Sequence, residues 1–126
     1  MKKILVLGAG RSATTLISYL ISNSEENNWF VTVGDFSVEF AEESVGNSKK
    51  AKAIFFNVTD ENQRKEEIRN SDIVISMLPA RMHFLVAEDC VNLKKNLVTA
   101  SYVSDEVKQL NEKAKQSGVL LLNEIG

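Results

Sequence analysis

Short runs of large apolar residues alternate with longer amphipathic segments along the chain. The runs show no regular polar–apolar alternation, which is typical of strands that are buried on both faces of a sheet. They predict six strands, at residues 4–7, 29–33, 51–56, within 72–79, 97–100 and 119–122.

The segments between these runs carry apolar residues at helical spacing. In residues 11–22 a single stripe contains Ala13, Leu16, Ile17, Leu20 and Ile21. A second helix is predicted from a cap at Ser37 to residue 45, with Gly46 as its stop and with inward-facing Phe40, Ala41 and Val45. Two more are predicted at residues 61–70 and 82–91. A last helix is predicted after a cap at Ser104, with Gly118 as its stop and with inward-facing Val107, Leu110 and Ala114. Residues 24–28 are polar and predict a loop.

The predicted helix at residues 61–70 differs from the others in composition. Its one large apolar residue is Ile68, so we expect it to be solvated and weakly anchored. Asp60 and Gln63 have the spacing of a capping box at its start.

Strands that alternate with helices predict a parallel sheet covered on both faces. With a glycine turn after the first strand, six strands fit the order 3-2-1-4-5-6 with right-handed crossovers. We therefore predict an α/β doubly wound Rossmann fold that forms one domain over residues 1–126.

The turn after the first strand has the pattern Gly8-x-Gly10-x-x-Ala13. The first glycine permits a tight turn, the second lets a pyrophosphate approach the backbone, and the small third residue lets helix and strand pack closely. Phosphates would lie at the positive N-terminal end of the helix. Because the motif stands between a strand and a helix, it predicts a dinucleotide site.

In such a sheet the ligand binds outside the carboxyl ends of the strands, where the strand order reverses. The cofactor-binding residues predicted there are Gly8, Ala9, Gly10, Arg11, Ser12, Ala13, Asp35, Phe36, Asn57, Val58, Met77, Leu78, Pro79, Ala100 and Ser101. Asp35 follows the second strand, as an acid that binds ribose hydroxyls would. Residues 36–38 include no Arg or Lys to accept a 2′-phosphate, so we predict NAD rather than NADP.

Several of these residues have a purely structural alternative. Asp35 could be a turn acid, and Arg11 could simply solvate the start of the first helix. His83, the only histidine, could be a base or, more readily, a polar packing residue early in a helix. Cys90 shares an apolar stripe with Val86, which favours the core over a catalytic role.

Composition narrows the class of protein. The 126 residues are 44% hydrophobic and 25% charged, as in ordinary globular domains. A net charge of −2 gives no reason to predict a nucleic acid or a membrane as partner. The single cysteine cannot form an intramolecular disulfide, and the first apolar run is too short for a signal peptide, so we expect a cytoplasmic location. No metal site is predicted.

Several blocks of sequence point to a known family. They are DIVISMLP at 72–79, His83 with Val86 and Ala87, LVTASY at 97–102, and LNEIG at 122–126. Together they resemble the saccharopine dehydrogenase (glutamate-forming) and saccharopine reductase family. The similarity covers essentially the whole chain but only the N-terminal part of the family's proteins.

The resemblance implies the NAD(P)-binding part of a longer oxidoreductase of lysine metabolism. The reaction would transfer a hydride between the saccharopine C–N group and NAD(P), giving glutamate and aminoadipate semialdehyde. Implied substrate contacts are Ala80, His83, Ser101 and Tyr102, although many members carry a tyrosine in place of Ala80. No catalytic acid or base is assigned. Without the family's substrate domain, we expect this chain to be inactive alone and to self-associate through uncovered apolar surface.

Two other classes stay open. A stand-alone nucleotide-sensing module, like the regulatory Rossmann domains of potassium channels, would have a similar length. An S-adenosylmethionine-dependent methyltransferase also uses an acid after the second strand, but such folds usually end in an antiparallel hairpin strand, which this sequence lacks. Calorimetry with NADH and with S-adenosylmethionine would separate them.

Overall fold

The computed structural model describes residues 1–99, 114–116, 118 and 121–122. Strands and helices alternate along most of this length. In chain order they are β1 (Lys2–Leu7), α1 (Arg11–Ser22), α2 (Ser24–Asn27), β2 (Trp29–Asp35), α3 (Val38–Val45), β3 (Ala51–Phe55), α4 (Glu61–Arg69), β4 (Ile73–Ser76), α5 (Ala80–Asn92), β5 (Asn96–Thr99) and β6 (Leu121–Leu122).

The described strands form one parallel sheet in the order β3-β2-β1-β4-β5-β6. Strands β3-β2-β1-β4-β5 make up its body, and β6 adds only two residues beside β5, pairing Leu121 with Leu97 and Leu122 with Val98. The chain reverses direction across the sheet between β1 and β4, which are direct neighbours. The predicted doubly wound topology is therefore confirmed.

Alternate residues of β1 enter two separate cores, one on each face of the sheet. Leu5 and Leu7 pack with Ile68 of α4 and Val86 of α5. Ile4 and Val6 join the core that α1 and α3 cover. Because both faces of the strand are buried, its sequence is continuously apolar, as predicted.

The segment predicted as a loop at residues 24–28 is instead the four-residue helix α2. The Ser24 hydroxyl is fully buried and donates a 2.6 Å hydrogen bond to the Leu20 carbonyl. This bond links the start of α2 to the last turns of α1. Asn28, at φ 58°, then ends the helix in the left-handed region. The pattern of apolar residues could not predict this helix, because its residues and its contacts are polar.

Helix α3 begins and ends as predicted, but one of its side chains faces the other way. Ser37 caps it by accepting a hydrogen bond from the Phe40 N–H, and Gly46 follows it at φ 61°. Ala41 is buried, whereas Phe40 is 53% exposed. The prediction that Phe40 faces inward is wrong, because α3 is short and Ala41 meets the sheet.

Helix α4 is anchored more firmly than its composition suggests. Ile68 is fully buried, and Arg64 is also buried, in an ion pair with Asp89 of α5. A pattern of apolar residues cannot reveal this contact, since both partners are charged. No helix among the described residues is long and apolar enough to cross a membrane.

The last predicted helix lies mostly outside the described residues, and so do Ser104, Val107 and Leu110. Ala114 is described and is buried in the same core as Leu97. Gly118, the predicted stop, has φ 72°, a conformation that glycine adopts readily.

Candidate functional site

The glycine turn joins β1 to α1 at the point where the sheet reverses direction. Gly8 has φ +100°, and a Cβ added there would lie 3.0 Å from the Met77 carbonyl oxygen. Its N–H donates to the Gly34 carbonyl at 2.8 Å. Both the backbone conformation and the close approach of the chain after β4 therefore require glycine at this position.

Gly10 differs from Gly8 because space surrounds it. It is the N-cap residue of α1, with an extended conformation (φ −70°), and apart from its chain neighbours no heavy atom lies within 4 Å of where a Cβ would stand. As a glycine it has no side chain to cap the helix, and no acidic residue occupies the first turn. This end of α1 thus offers backbone N–H groups to an anion, and the residues present fit a dinucleotide's phosphates.

Asp35, at the end of β2, is tied to the glycine turn. Its Oδ2 accepts a 2.6 Å hydrogen bond from the backbone N–H of Ala9, and its Oδ1 accepts a 2.7 Å bond from that of Ser37. The side chain is half-buried. The carboxylate therefore acts as a clamp between β2 and the turn, which is the structural alternative that the sequence left open.

A cavity of about 410 Å³ opens beside Asp35 at the carboxyl ends of the strands. Residues after three neighbouring strands line it: Asp35 and Phe36 after β2; Phe56, Asn57, Val58 and Thr59 after β3; and Leu78, Pro79 and Met82 after β4. Most of these side chains are apolar. The volume and lining suit a flat, partly apolar group such as a nucleoside.

Two phenylalanines stand near this cavity. Phe36 is 71% exposed and Phe55 is 48% exposed, and their ring centroids are 5.4 Å apart at an angle of 52°. Because the two rings adjoin, they form a small continuous apolar patch, and such patches can mark a binding site. Phe36, which lines the cavity, could therefore contact a bound ring system.

A second groove of about 480 Å³ runs between the start of α1 and α3. Ala9, Gly10, Arg11 and Thr14 line one side of it, and Phe40 belongs to the other. The Arg11 side chain is exposed at this point. This groove continues the glycine turn toward solvent and contains the one guanidinium of the turn.

His83 lies in α5 and is buried, with 1% of its surface exposed. Its Nδ1 is 3.2 Å from the Ser76 hydroxyl, which is fully buried at the end of β4. An imidazole in this position contacts the sheet rather than the cleft. The structure thus favours the packing interpretation, and we do not include His83 among the proposed substrate contacts.

The structure brings most of the predicted cofactor residues to one edge. Gly8, Ala9, Gly10 and Arg11 form the turn, Ala13 packs beneath it, and Asp35, Phe36, Asn57, Val58, Leu78 and Pro79 line the cavity. Met77 contributes its backbone against Gly8. The side chains of Ser12 and Ala80, and all of Ala100, Ser101 and Tyr102, lie outside what is described.

Four residues at or near the cavity were missed. Phe56, Thr59 and Met82 line it directly, and Gln63 supports its wall. Met82 could have been found from its place in the first turn after β4. Gln63 was expected to complete a capping box, but its side chain contacts Phe55 and Asn57 instead, while Asp60 caps α4 by accepting from the Gln63 N–H.

Comparison with known proteins identifies a family that matches this chain. The model of the saccharopine dehydrogenase NADP binding domain matches residues 4–122. The chain belongs to this family. The resemblance seen in the sequence is therefore confirmed.

Relatives in this family are much longer. The chain is 34% identical to alpha-aminoadipic semialdehyde synthase of Arabidopsis thaliana, over 98% of this chain and 13% of that protein. It is 31% identical to saccharopine dehydrogenase [NADP(+), L-glutamate-forming] of Saccharomyces cerevisiae, over 99% of this chain and 27% of that protein. The solved apo structure of the S. cerevisiae L-Glu-forming enzyme superposes with a TM-score of 0.88 at 30% identity, covering 100% of this chain and 27% of that one.

The prediction of NAD as the cofactor is wrong. The matching family is described as NADP binding, and the S. cerevisiae relative is named for NADP(+). The prediction assumed that the Asp35 carboxylate would stand free to repel a 2′-phosphate. In the structure its two oxygens accept backbone N–H groups at 2.6 and 2.7 Å, so part of its negative charge is already compensated.

Proposed function

We propose that this chain is the NADP(H)-binding part of a saccharopine dehydrogenase-like oxidoreductase of lysine metabolism. One observation carries the proposal most directly. In a chain of an NADP-binding family, an uncapped helix N-terminus at Gly10 adjoins a nucleoside-sized cavity lined by Phe36 and Val58. The activity itself remains a proposal, because the chain spans between 13% and 27% of the relatives compared.

The diphosphate would bind at the start of α1. The space around Gly10 lets an anion approach the backbone, and the helix end supplies N–H donors and a partial positive charge. Arg11, exposed in the first turn, supplies a full positive charge in the adjoining groove. Asp35 holds the turn in this form through Ala9.

The adenosine would occupy the cavity beside Asp35. Phe36 offers a ring face there, and aromatic stacking accepts a purine without needing hydrogen bonds. Asn57 and Thr59 also line the cavity and supply polar groups. Leu78 and Pro79 lie after β4, where the nicotinamide half would continue along the strand ends.

When bound, the oxidised cofactor would supply a hydride acceptor for the carbon next to the saccharopine amine, and hydrolysis of the resulting imine by water would give glutamate and aminoadipate semialdehyde. This chain's own contribution would be to hold the nicotinamide ring in a fixed orientation beside Leu78 and Pro79. Substrate contacts at Ala80, Ser101 and Tyr102 remain proposals from the resemblance. A cytoplasmic location is proposed from the composition, and self-association from uncovered apolar surface.

Calorimetric titration of the 126-residue chain with NADPH tests the proposal. We expect saturable binding with one nucleotide per chain, weakened about tenfold in Phe36→Ala by the loss of one stacking contact. Tyr19→Ala is the matched control, because Tyr19 is an exposed aromatic (62%) of α1 that lines neither the cavity nor the groove. No binding of NADPH to the folded wild-type chain would contradict the proposal.

A further inference from the structure

The loop that joins β3 to α4 forms one wall of the 410 Å³ cavity, through residues 56–59. Two consecutive residues in the first turns of α4 hold this loop by their side chains. Gln63 reaches both ends of the bend: its Oε1 accepts from the Asn57 N–H at 3.0 Å, and its Nε2 donates to the Phe55 carbonyl at 2.7 Å. One side chain thereby fixes the chain as it leaves β3.

Arg64 holds the next part of the same loop. Its Nη1 donates to the Val58 carbonyl at 2.7 Å, and its Nε donates to Oδ2 of Asp89. Both charged side chains are buried, with 6% of Arg64 and 2% of Asp89 exposed. A guanidinium has a rigid fork of donors, so it can satisfy both acceptors only in one geometry.

The Arg64–Asp89 pair also connects two elements next to the cavity. Arg64 belongs to α4, which follows the lining residues of the loop at Val58, and Asp89 belongs to α5, whose first turn carries Met82, another lining residue. Replacing a buried ion pair by packed apolar groups is often neutral or stabilising for the fold. A gain in stability alone therefore does not explain why a buried ion pair is present here. The bonds of Arg64 to Asp89 and to the Val58 carbonyl therefore join α4, α5 and the loop that lines the cavity.

We infer that Arg64, with Gln63 and Asp89, is a positioning residue for the adenosine half of the nucleotide. The inference rests on the proposed function for the identity of the ligand. None of the three side chains needs to touch the nucleotide, because they act through the backbone of Asn57 and Val58. They determine whether the cavity has the width that a purine requires.

The test uses adenosine 2′,5′-bisphosphate, the adenosine half of NADP, with two variants. Arg64→Lys keeps a positive charge beside Asp89 but lacks the two separate donor nitrogens by which Arg64 contacts Asp89 and the Val58 carbonyl. Gln63→Met keeps the side-chain length and removes both loop contacts. Glu66→Gln, at an exposed position of the same helix, is the control. We expect binding about fivefold weaker in the two variants, the effect of roughly one hydrogen bond, and unchanged in the control.

Dissociation constants are measured where urea titration shows each variant fully folded, so that lost stability does not imitate lost affinity. Wild-type affinity in both variants would overturn the inference while leaving the proposed function intact. Failure of the wild-type chain to bind the bisphosphate would refute the proposed function.

Amide hydrogen exchange tests the positioning without any nucleotide. The Asn57 N–H should exchange faster in Gln63→Met than in the wild-type chain, since Gln63 Oε1 accepts its hydrogen bond. The β1 amides should keep their protection, which distinguishes local loosening from global unfolding. Unchanged exchange at Asn57 would overturn the inference.

Discussion

The carboxylate of Asp35, at the end of β2, accepts a hydrogen bond from the backbone N–H of Ala9 in the glycine turn, with 2.6 Å between Oδ2 and N. The two residues are 26 positions apart in the sequence. An acid at this position is usually considered for what it offers a ribose. Here it also determines the conformation of the turn that would receive the phosphates.

Replacing Asp35 with Ala should therefore affect folding as well as binding. It removes the charged acceptor of two backbone N–H groups, those of Ala9 and Ser37. We expect the free energy of unfolding to fall by about 2 kcal/mol, measured by urea titration, and NADPH affinity to fall with it. Glu42→Ala, which removes an exposed acid of α3, should leave both unchanged. Equal stability of Asp35→Ala and the wild-type chain would contradict the clamp.

Substitution by alanine should change the free energy of unfolding differently at the two glycines of the turn. Gly8→Ala forces a side chain into a positive-φ conformation and within 3.0 Å of the Met77 carbonyl oxygen, so we expect a loss of about 1–3 kcal/mol in the free energy of unfolding. Gly10→Ala has room and an ordinary φ, so stability should change by less than about 0.5 kcal/mol.

The same Gly10→Ala variant should bind NADPH at least about tenfold more weakly, because the new methyl group occupies the space through which the diphosphate approaches the backbone. Parallel urea and calorimetric titrations check both halves. Full nucleotide affinity in Gly10→Ala would show that phosphate does not bind at this end of α1.

Sequence patterns predicted the sheet well because each strand and turn can be recognised from residues that are neighbours in the sequence. Continuous apolar runs such as residues 4–7 are typical of strands buried on both faces of a covered parallel sheet, and Gly8 and Gly10 mark the turn that follows. The strand order then places Asp35 and Phe36 beside that turn. These steps need no knowledge of a distant contact.

The parts that failed depend on pairs of polar groups far apart in sequence. Whether Asp35 stands free or bonds to Ala9 cannot be inferred from spacing, and the wrong cofactor followed from assuming that it stands free. Arg64 and Asp89 have no apolar periodicity to link them, so α4 looked weakly anchored. Phe40 occupies an inward position by period alone, but α3 is too short to bury it.

Cys90 should be unreactive in the native chain. It is the only cysteine, its side chain is fully buried in the core between α5 and the sheet, and burial raises the pKa of its thiol far above the ordinary value. A thiol-reactive disulfide reagent should therefore modify it only as fast as the chain opens, and the rate should rise steeply with urea. Rapid modification of one thiol per folded chain would contradict this burial.

The last prediction concerns pH and the start of β4. Asp72 accepts a 2.8 Å hydrogen bond from the Lys3 N–H and returns one of 2.8 Å from its own N–H to the Lys3 carbonyl, which joins β4 to β1. The bond from the Lys3 N–H, aided by nearby lysines, holds the pKa of the Asp72 carboxyl below its ordinary value of 3.8. The contribution of this carboxylate to stability is therefore complete above that value and disappears as the pH falls through the lower folded pKa.

The variant Asp72→Asn tests this pH dependence. It keeps an acceptor but loses the charge, and because the side chain is exposed we expect it to cost less than about 1 kcal/mol at pH 7. In urea titrations between pH 7 and pH 2, the difference between wild-type chain and variant should stay constant down to about pH 5 and then shrink. A difference that grows on acidification would mean that the charged Asp72 does not favour the folded chain.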